Sequence, residues 1–149
     1  MAGALTLRGV RFAWGERTYV MGILNLTPDS FSGDGLLAGD PADPLPAVVA
    51  RARRMAAEGA DLLDLGGEST RPGHAPVDEA EELARVVPAV RAVRAALPAM
   101  PLSVDTTKPA VAEAALEAGA DMLNDVWVVG PRGEPLARLA ARRGVPLIV

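Results

Sequence analysis

Apolar runs of strand length alternate along the chain with amphipathic stretches of helix length, and this alternation most limits the possible folds. Two segments repeat the unit closely. EGADLLD at 58–64 and AGADMLN at 118–124 each end a helix near a Gly and lead into a short apolar strand. Strands that alternate with helices pair in parallel through right-handed crossovers. The pattern predicts an α/β fold, either a (β/α)₈ barrel or an open doubly wound sheet.

Five main strands are expected, preceded by an N-terminal β-hairpin. The hairpin is predicted from the alternating apolar and polar residues that begin at residue 4, with WGER at 14–17 as a turn. The strands are predicted at about 19–24, 61–65, 102–104, 122–124 and 145–149. The residues that signal helix starts are Asp43 with Pro44, Asp78 with Glu81, and Thr106 or Thr107 with Pro109, and those that signal helix ends are Gly59, Gly119 and Gly144.

The length of the chain bears on the choice between the two folds. A closed eight-stranded barrel needs about 250 residues, whereas 149 residues hold four β/α units and one further strand. On length alone, the N-terminal half of a barrel and a complete five-stranded open sheet are equally acceptable.

Composition argues against several classes of function. A net charge of −4 gives no basic surface for nucleic acid, and the absence of Cys excludes a disulfide scaffold and thiol chemistry. No apolar run is long enough for a membrane span, and the N-terminus does not resemble a signal peptide. We therefore expect a cytoplasmic protein. Without a His or Cys cluster, any metal would be a hard cation on oxygen ligands, such as Mg²⁺.

The first four main strands each lead into an Asn or Asp, namely Asn25, Asp64, Asp105 and Asn124. Each could simply cap the loop that follows it. In β/α folds, however, the catalytic face lies at the carboxyl ends of the strands. Four such residues on four strands favour a single polar pocket over four separate caps.

Two loops are long and rich in functional residue types: LNLTPDSFSGDG at 24–35 and GGESTRPG at 66–73. Phe31 would either close over a flat ligand or pack on the rim of the sheet. The Arg71 guanidinium suits a phosphate or carboxylate, with a surface salt bridge as the alternative. Glu68 is interpreted as a buried acceptor for loop amides.

Three segments resemble the dihydropteroate synthases. They are MGILNLTPDSFSGDG at 21–35, DLLDLGGESTRPG at 61–73 and LSVDTTKPAVAEAALEAGADMLNDV at 102–126. The resemblance covers nearly the whole chain in order. It implies a TIM barrel, of which residues 1–149 would be one incomplete pterin-binding domain holding the hairpin and roughly strands 1–5. Pterin-dependent methyltransferases share the barrel, but are not expected to carry both the TPDSFS and ESTRPG loops.

The resemblance implies an activity and a role for each matching residue. The reaction would condense 6-hydroxymethyl-7,8-dihydropterin pyrophosphate with p-aminobenzoate in folate biosynthesis, with Mg²⁺ as cofactor and a homodimer as the assembly. Asp105 and Asn124 would bind the pterin, and Asn25 would bind Mg²⁺. Thr70 and Arg71 would hold the pyrophosphate as catalytic residues and border the aminobenzoate pocket. Pro72 and Phe31 would line the same pocket.

Two departures from the family pattern limit these implications. The order Gly33, Asp34, Gly35 replaces the usual Asp followed by two Gly, so Asp34 stands one position later than the Asp of the family pattern. Further pocket residues come from strands six to eight in the family, so we expect residues 1–149 alone to be inactive. Two other functions stay open: a module that passes a methyl group from methyltetrahydrofolate to a corrinoid, and a non-enzymatic half-barrel that binds pterins.

Overall fold

The computed structural model describes residues 3–27, 43–68, 76–126 and 134–149. These ranges contain a hairpin followed by an alternation of strands and helices. The strands are β1 (Ala4–Leu7), β2 (Val10–Ala13), β3 (Met21–Asn25), β4 (Leu62–Gly66), β5 (Leu102–Asp105), β6 (Met122–Asn124) and β7 (Leu147–Ile148). The helices are α1 (Leu45–Ala57), α2 (Glu79–Ala96), α3 (Pro109–Ala118) and α4 (Glu134–Arg143).

The strands from β3 to β7 form one sheet in sequence order, and every pairing in it is parallel. One helix lies between each strand and the next, as the βαβ crossover requires. The predicted order and direction of the five strands are therefore confirmed. The last strand is shorter than predicted, because only residues 147–148 pair with β6.

The N-terminal hairpin is confirmed, but its tight turn differs from the turn that the sequence indicated. β1 and β2 pair antiparallel and are joined through Arg8 and Gly9, whose φ angles of 52° and 83° are both positive. Two-residue hairpin loops favour this conformation because it matches the twist of the strands. The predicted WGER segment at 14–17 is also a turn, and it connects β2 to β3.

The helix ends follow the predicted capping residues closely. The Asp78 carboxylate accepts a hydrogen bond of 2.7 Å from the Glu81 amide at the start of α2. At α1 the prediction was wrong by one residue, because the N-cap is Pro44 rather than Asp43 and the helix begins at Leu45. The Asp43 carboxylate still accepts a 3.2 Å bond from the amide of Leu45. Gly119 ends α3 with a φ of 118°, which is the left-handed conformation that glycine adopts at low cost.

The helices cover one face of the parallel sheet. Branched aliphatic side chains of β3, β4 and β5 meet Val and Ala side chains of α1, α2 and α3 in a single buried cluster. The central strand residues Leu63, Leu65 and Val104 are fully buried there. None of the described helices is long and apolar enough to cross a membrane.

The hairpin covers the amino-terminal half of the other face. Phe12, which is 2% exposed, packs with Leu62 and Met122 in a separate cluster. The Tyr19 hydroxyl accepts a 2.7 Å hydrogen bond from the Ala13 amide and fixes the return of the chain from β2 into β3. This face is therefore apolar and covered near the strand starts, which leaves its other half, near the strand ends, for a site.

Candidate active site

A row of residues occupies the carboxyl ends of the strands at one level of the sheet. Register pairs Asn25 with Gly66, Gly66 with Asp105, and Asp105 with Asn124. Residues two apart on a strand share a face, so these side chains lie on the face that the hairpin partly covers. The convergence of Asn25, Asp105 and Asn124 at one end of the sheet was predicted.

Asp64 lies one level below this row, because β4 continues to Gly66 rather than ending beside the aspartate. Its register partner on β5 is Ser103, and both are buried, with 2% and 0% of their surface exposed. The Ser103 hydroxyl donates to one Asp64 carboxylate oxygen, and the Asn124 amide nitrogen donates to the other over 3.0 Å. Asp64 is thus joined to the row above it through Asn124.

Asp105 has the most strongly perturbed carboxyl group of the site. Burial is the main cause that raises its pKa to about 6, and the nearby carboxylates of Asp64, Glu82, Asp125 and Glu68 raise it further. Within the described residues its side chain receives no hydrogen bond. A half-buried carboxylate of this kind is poised to accept N–H bonds from a ligand, which would supply the partners that burial removed.

The glycine at the end of β4 lies directly beside Asp105. A Cβ placed on Gly66 would lie 3.6 Å from Asp105 Cβ and 3.9 Å from its Oδ2. A larger side chain would therefore occupy the volume directly over the carboxylate. Glycine at this position therefore leaves the Asp105 carboxylate without a β4 side chain over it.

A single cation bridges two acids next to the row. Lys108 Nζ lies 2.7 Å from Glu68 Oε2 and 2.6 Å from Glu82 Oε2, joining the start of α3 to the segment after β4 and to α2. Glu82 is fully buried. Glu68 is half-buried rather than buried, and one of its carboxylate oxygens pairs with Lys108. The loop amides at 69–75 that it was predicted to accept from lie outside the described residues.

The remaining predicted site residues divide between exposed and undescribed positions. Asn25 is exposed at the end of β3. Among the described residues, no group of three or more His, Cys, Asp or Glu side chains is arranged to hold a metal. The predicted residues Phe31, Asp34, Thr70, Arg71 and Pro72 lie outside the described residues.

Ser103 and Lys108 belong to the site, and the sequence analysis missed both. Ser103 stands in an apolar strand, where a polar residue on the face away from the helices was a usable signal. Lys108 is the only Lys in the chain and follows the strand end directly. Its partner Glu82 could not be found, because its position in α2 does not distinguish it from the neighbouring surface acids.

A sequence profile of the family described as pterin-binding enzymes matches residues 21–149. The chain belongs to this family. The dihydropteroate synthase of Clostridium beijerinckii is 46% identical over 135 residues, which are 91% of this chain and 48% of the relative. The family resemblance found in the sequence is thereby confirmed, and the match covers the N-terminal half of the relative.

Solved structures of pterin-binding enzymes agree with this result. The Xanthomonas albilineans dihydropteroate synthase with 4-aminobenzoic acid has a TM-score of 0.80 and 46% identity, over 97% of this chain and 50% of that chain. The Burkholderia cenocepacia synthase complexed with 7,8-dihydropteroate has a TM-score of 0.64 and 48% identity, over 87% of this chain and 40% of that chain. The chain thus spans about half the length of these relatives. Its sheet is the N-terminal half of a TIM barrel, which confirms the barrel over the open sheet.

Proposed function

We propose that the protein supplies the N-terminal half of a dihydropteroate synthase site. In the proposed reaction, the amine nitrogen of p-aminobenzoate bonds to the methylene carbon of 6-hydroxymethyl-7,8-dihydropterin pyrophosphate. The carbon–oxygen bond to pyrophosphate breaks, and the amine loses a proton. The observation that carries the proposal is the pairing of Asp105 with Asn124 at the strand ends, within a chain that is 46% identical to a synthase over 91% of its length.

The proposed pterin contacts follow from the chemistry of this pair. A carboxylate only accepts hydrogen bonds, so Asp105 suits the 2-amino group and adjacent ring N–H of a pterin. The Asn124 amide can accept from a further ring N–H beside it. Because Asp105 is partly desolvated, a ligand lacking these donors would leave a half-buried carboxylate unpaired, at a cost of about 1–3 kcal/mol.

The pyrophosphate end of the substrate would lie toward the loops that follow β3 and β4. Asn25 at the end of β3 offers one amide oxygen. Mg²⁺ commonly takes one or two protein ligands and fills its remaining positions with water and phosphate oxygens. The donor set therefore fits Mg²⁺ bound mainly by pyrophosphate, and the metal would stabilise the charge of the leaving group. Asn25 would orient that group.

The loop residues complete the proposed site. Thr70 and Arg71 would hold the pyrophosphate as catalytic residues, with the guanidinium balancing the developing negative charge. Pro72 and Phe31 would border the aminobenzoate ring. The acids Asp64, Asp105 and Glu82 make the strand ends electronegative. A guanidinium near them would offset their repulsion of the pyrophosphate. The homodimer and the cytoplasmic location stay predictions.

The methyl-transfer alternative has no support among the comparisons, since the relatives reported above are synthases. A direct test combines the chain with the C-terminal half of the Clostridium beijerinckii relative, expressed as a separate polypeptide. The assay follows dihydropteroate and pyrophosphate release from the pterin pyrophosphate, p-aminobenzoate and Mg²⁺. A parallel assay follows methyl transfer from methyltetrahydrofolate to a corrinoid.

We expect turnover to dihydropteroate from the two halves together and none from residues 1–149 alone. Asp105→Ala in this chain should abolish the activity of the pair, while Glu117→Gln, on an exposed face of α3, should leave it unchanged. Methyl transfer without dihydropteroate would favour the alternative. Full activity of residues 1–149 alone would show that the account of the site is wrong.

A further inference from the structure

We propose that Asp64 is a positioning residue that fixes the orientation of the Asn124 side-chain amide and so sets which ring edge the site accepts. The inference deepens the proposed function and rests on it. It assigns to Asp64 no contact with the ligand. Its effect on the choice of ring edge would pass through its hydrogen bond to Asn124.

The first observation is the pair of hydrogen bonds to the Asp64 carboxylate. Ser103 Oγ donates to Oδ1, and Asn124 Nδ2 donates to Oδ2 over 3.0 Å. An ionised carboxylate has no proton to donate. The structure places the nitrogen end of the Asn124 amide toward Asp64, and turning the amide would bring its oxygen against a carboxylate oxygen.

The consequence reaches the ligand through the planar geometry of the amide. With Nδ2 held toward Asp64, Asn124 Oδ1 lies at the opposite end of the group and stays available as an acceptor. Asp105, the register partner of Asn124, is the second acceptor. Two neighbouring acceptors match a heterocycle edge that carries N–H donors. A reversed amide would present a donor instead and would favour a carbonyl or an unprotonated ring nitrogen.

The second observation is that a charged residue at this position is costly. Asp64 is 2% exposed, and burial raises its pKa. Its charge also acts on Asp105, whose pKa it helps to raise. A neutral side chain could also accept hydrogen bonds from Ser103 and Asn124, and it would not repel the Asp105 carboxylate. A neutral amide at position 64 would nevertheless lack the property argued here, because it can both donate and accept.

The test measures ligand discrimination rather than affinity alone. The probes are pterin, which carries a 2-amino group, and lumazine, which carries a 2-oxo group there, and their Kd values are obtained by fluorescence titration. Wild-type protein should prefer pterin by about tenfold or more. Asp64→Asn, which keeps the shape of the side chain, should reduce this ratio about tenfold. Glu117→Gln, on an exposed face of α3, is the control and should leave the ratio within about threefold.

A double-mutant cycle separates positioning from packing. If Asp64 acts through Asn124, then Asp64→Asn should not change the pterin-to-lumazine ratio further in an Asn124→Ala background. A change that persists in that background would overturn the inference. So would an Asp64→Asn variant that weakens both ligands equally, since that result indicates only a structural role.

A ligand-free measurement keeps the inference testable if the Asp64 variant does not fold. In wild-type protein, NMR should show the Asn124 side-chain N–H protons protected from exchange with solvent. Rapid exchange of both protons would contradict the proposed bond to Asp64, whatever the ligand. Protected protons in a protein that binds no pterin would instead show that the proposed function, and the role in ligand selection with it, is wrong.

Discussion

Asp105 and Asn124 are register partners at the ends of the adjacent parallel strands β5 and β6. Their side chains share the sheet face that the N-terminal hairpin covers only at its other end. The pair therefore lies where an acceptor-rich site is open to a ligand. The cost of keeping Asp105 there without a ligand leads to the first prediction.

Asp105→Asn should stabilise the ligand-free protein at neutral pH. The Asp105 pKa is about 6 in the folded protein and near 3.8 when unfolded. A raised pKa means that the ionised group opposes folding above pH 6, and that this penalty disappears as pH falls through 6 to below 3.8. Replacing it with Asn should raise the free energy of unfolding by about 1–3 kcal/mol at pH 7.5.

Urea denaturation of wild-type protein and Asp105→Asn at pH 7.5 and pH 4 checks this. The difference between the two proteins should shrink toward zero at the lower pH, because other titrating groups cancel in the comparison. A difference of the same size at both pH values, or a destabilised variant at pH 7.5, would contradict the assigned cause.

Alanine at the two consecutive glycines where β4 ends should have different effects: one on stability, the other on binding. A Cβ on Gly67 would lie 2.9 Å from both Glu82 Cγ and Val86 Cγ2, so Gly67→Ala should destabilise the protein by about 1–3 kcal/mol. A Cβ on Gly66 meets only ordinary contacts beside Asp105, so Gly66→Ala should fold normally and weaken pterin binding. Thermal melts and pterin titrations of both variants distinguish the two sites, and a Gly66→Ala variant with unchanged affinity would count against a ligand over Asp105.

Lys108→Met should be strongly destabilising because it leaves the fully buried Glu82 without its cation. Loss of one partner of a buried ion pair costs about 3–5 kcal/mol. The double variant with Glu82→Gln should recover most of that loss, since no buried charge is then left unpaired. Equilibrium unfolding of the single and double variants measures the recovery. A double variant no more stable than Lys108→Met would show that the pairing is not the cause.

Phe12→Ala should loosen the hairpin from the sheet. Phe12 is 2% exposed and packs on Leu62 and Met122. Truncation of a phenylalanine buried in this way lowers the free energy of unfolding by about 3–5 kcal/mol. Trp14→Ala is the matched control, because Trp14 stacks on Phe12 but is 48% exposed. Chemical denaturation should show a much smaller loss for the control, and equal losses would mean that Phe12 does not anchor the hairpin.

The order of the fold was predictable because its signals are local. Asp78 with Glu81 and the glycine at position 119 mark helix ends by their own backbone requirements. The alternation of strands and helices then leaves parallel pairing as the consistent topology. The hairpin turn at Arg8 and Gly9 was missed because a non-glycine residue with positive φ carries a weak sequence signal.

The site was predictable only as far as the strand ends. Asn25, Asp105 and Asn124 converge because parallel strands end at one edge of the sheet, and that argument needs no coordinates. The link from Asp64 to Ser103 and Asn124 depends on register between strands that are 39 and 60 residues apart in sequence. The pairing of Lys108 with Glu82 depends on how α2 packs on the sheet. Neither relationship is encoded in a short segment.

Calorimetric titration of pterin into the protein tests most directly whether Asp105 and Asn124 form a pterin site. At pH 7.5 we predict saturable binding that is lost in Asp105→Ala and retained in Glu117→Gln. Because the ligand should require the ionised form of Asp105, whose pKa is about 6, wild-type affinity should fall about tenfold between pH 7.5 and pH 5. Unchanged pterin affinity in Asp105→Ala would contradict the account.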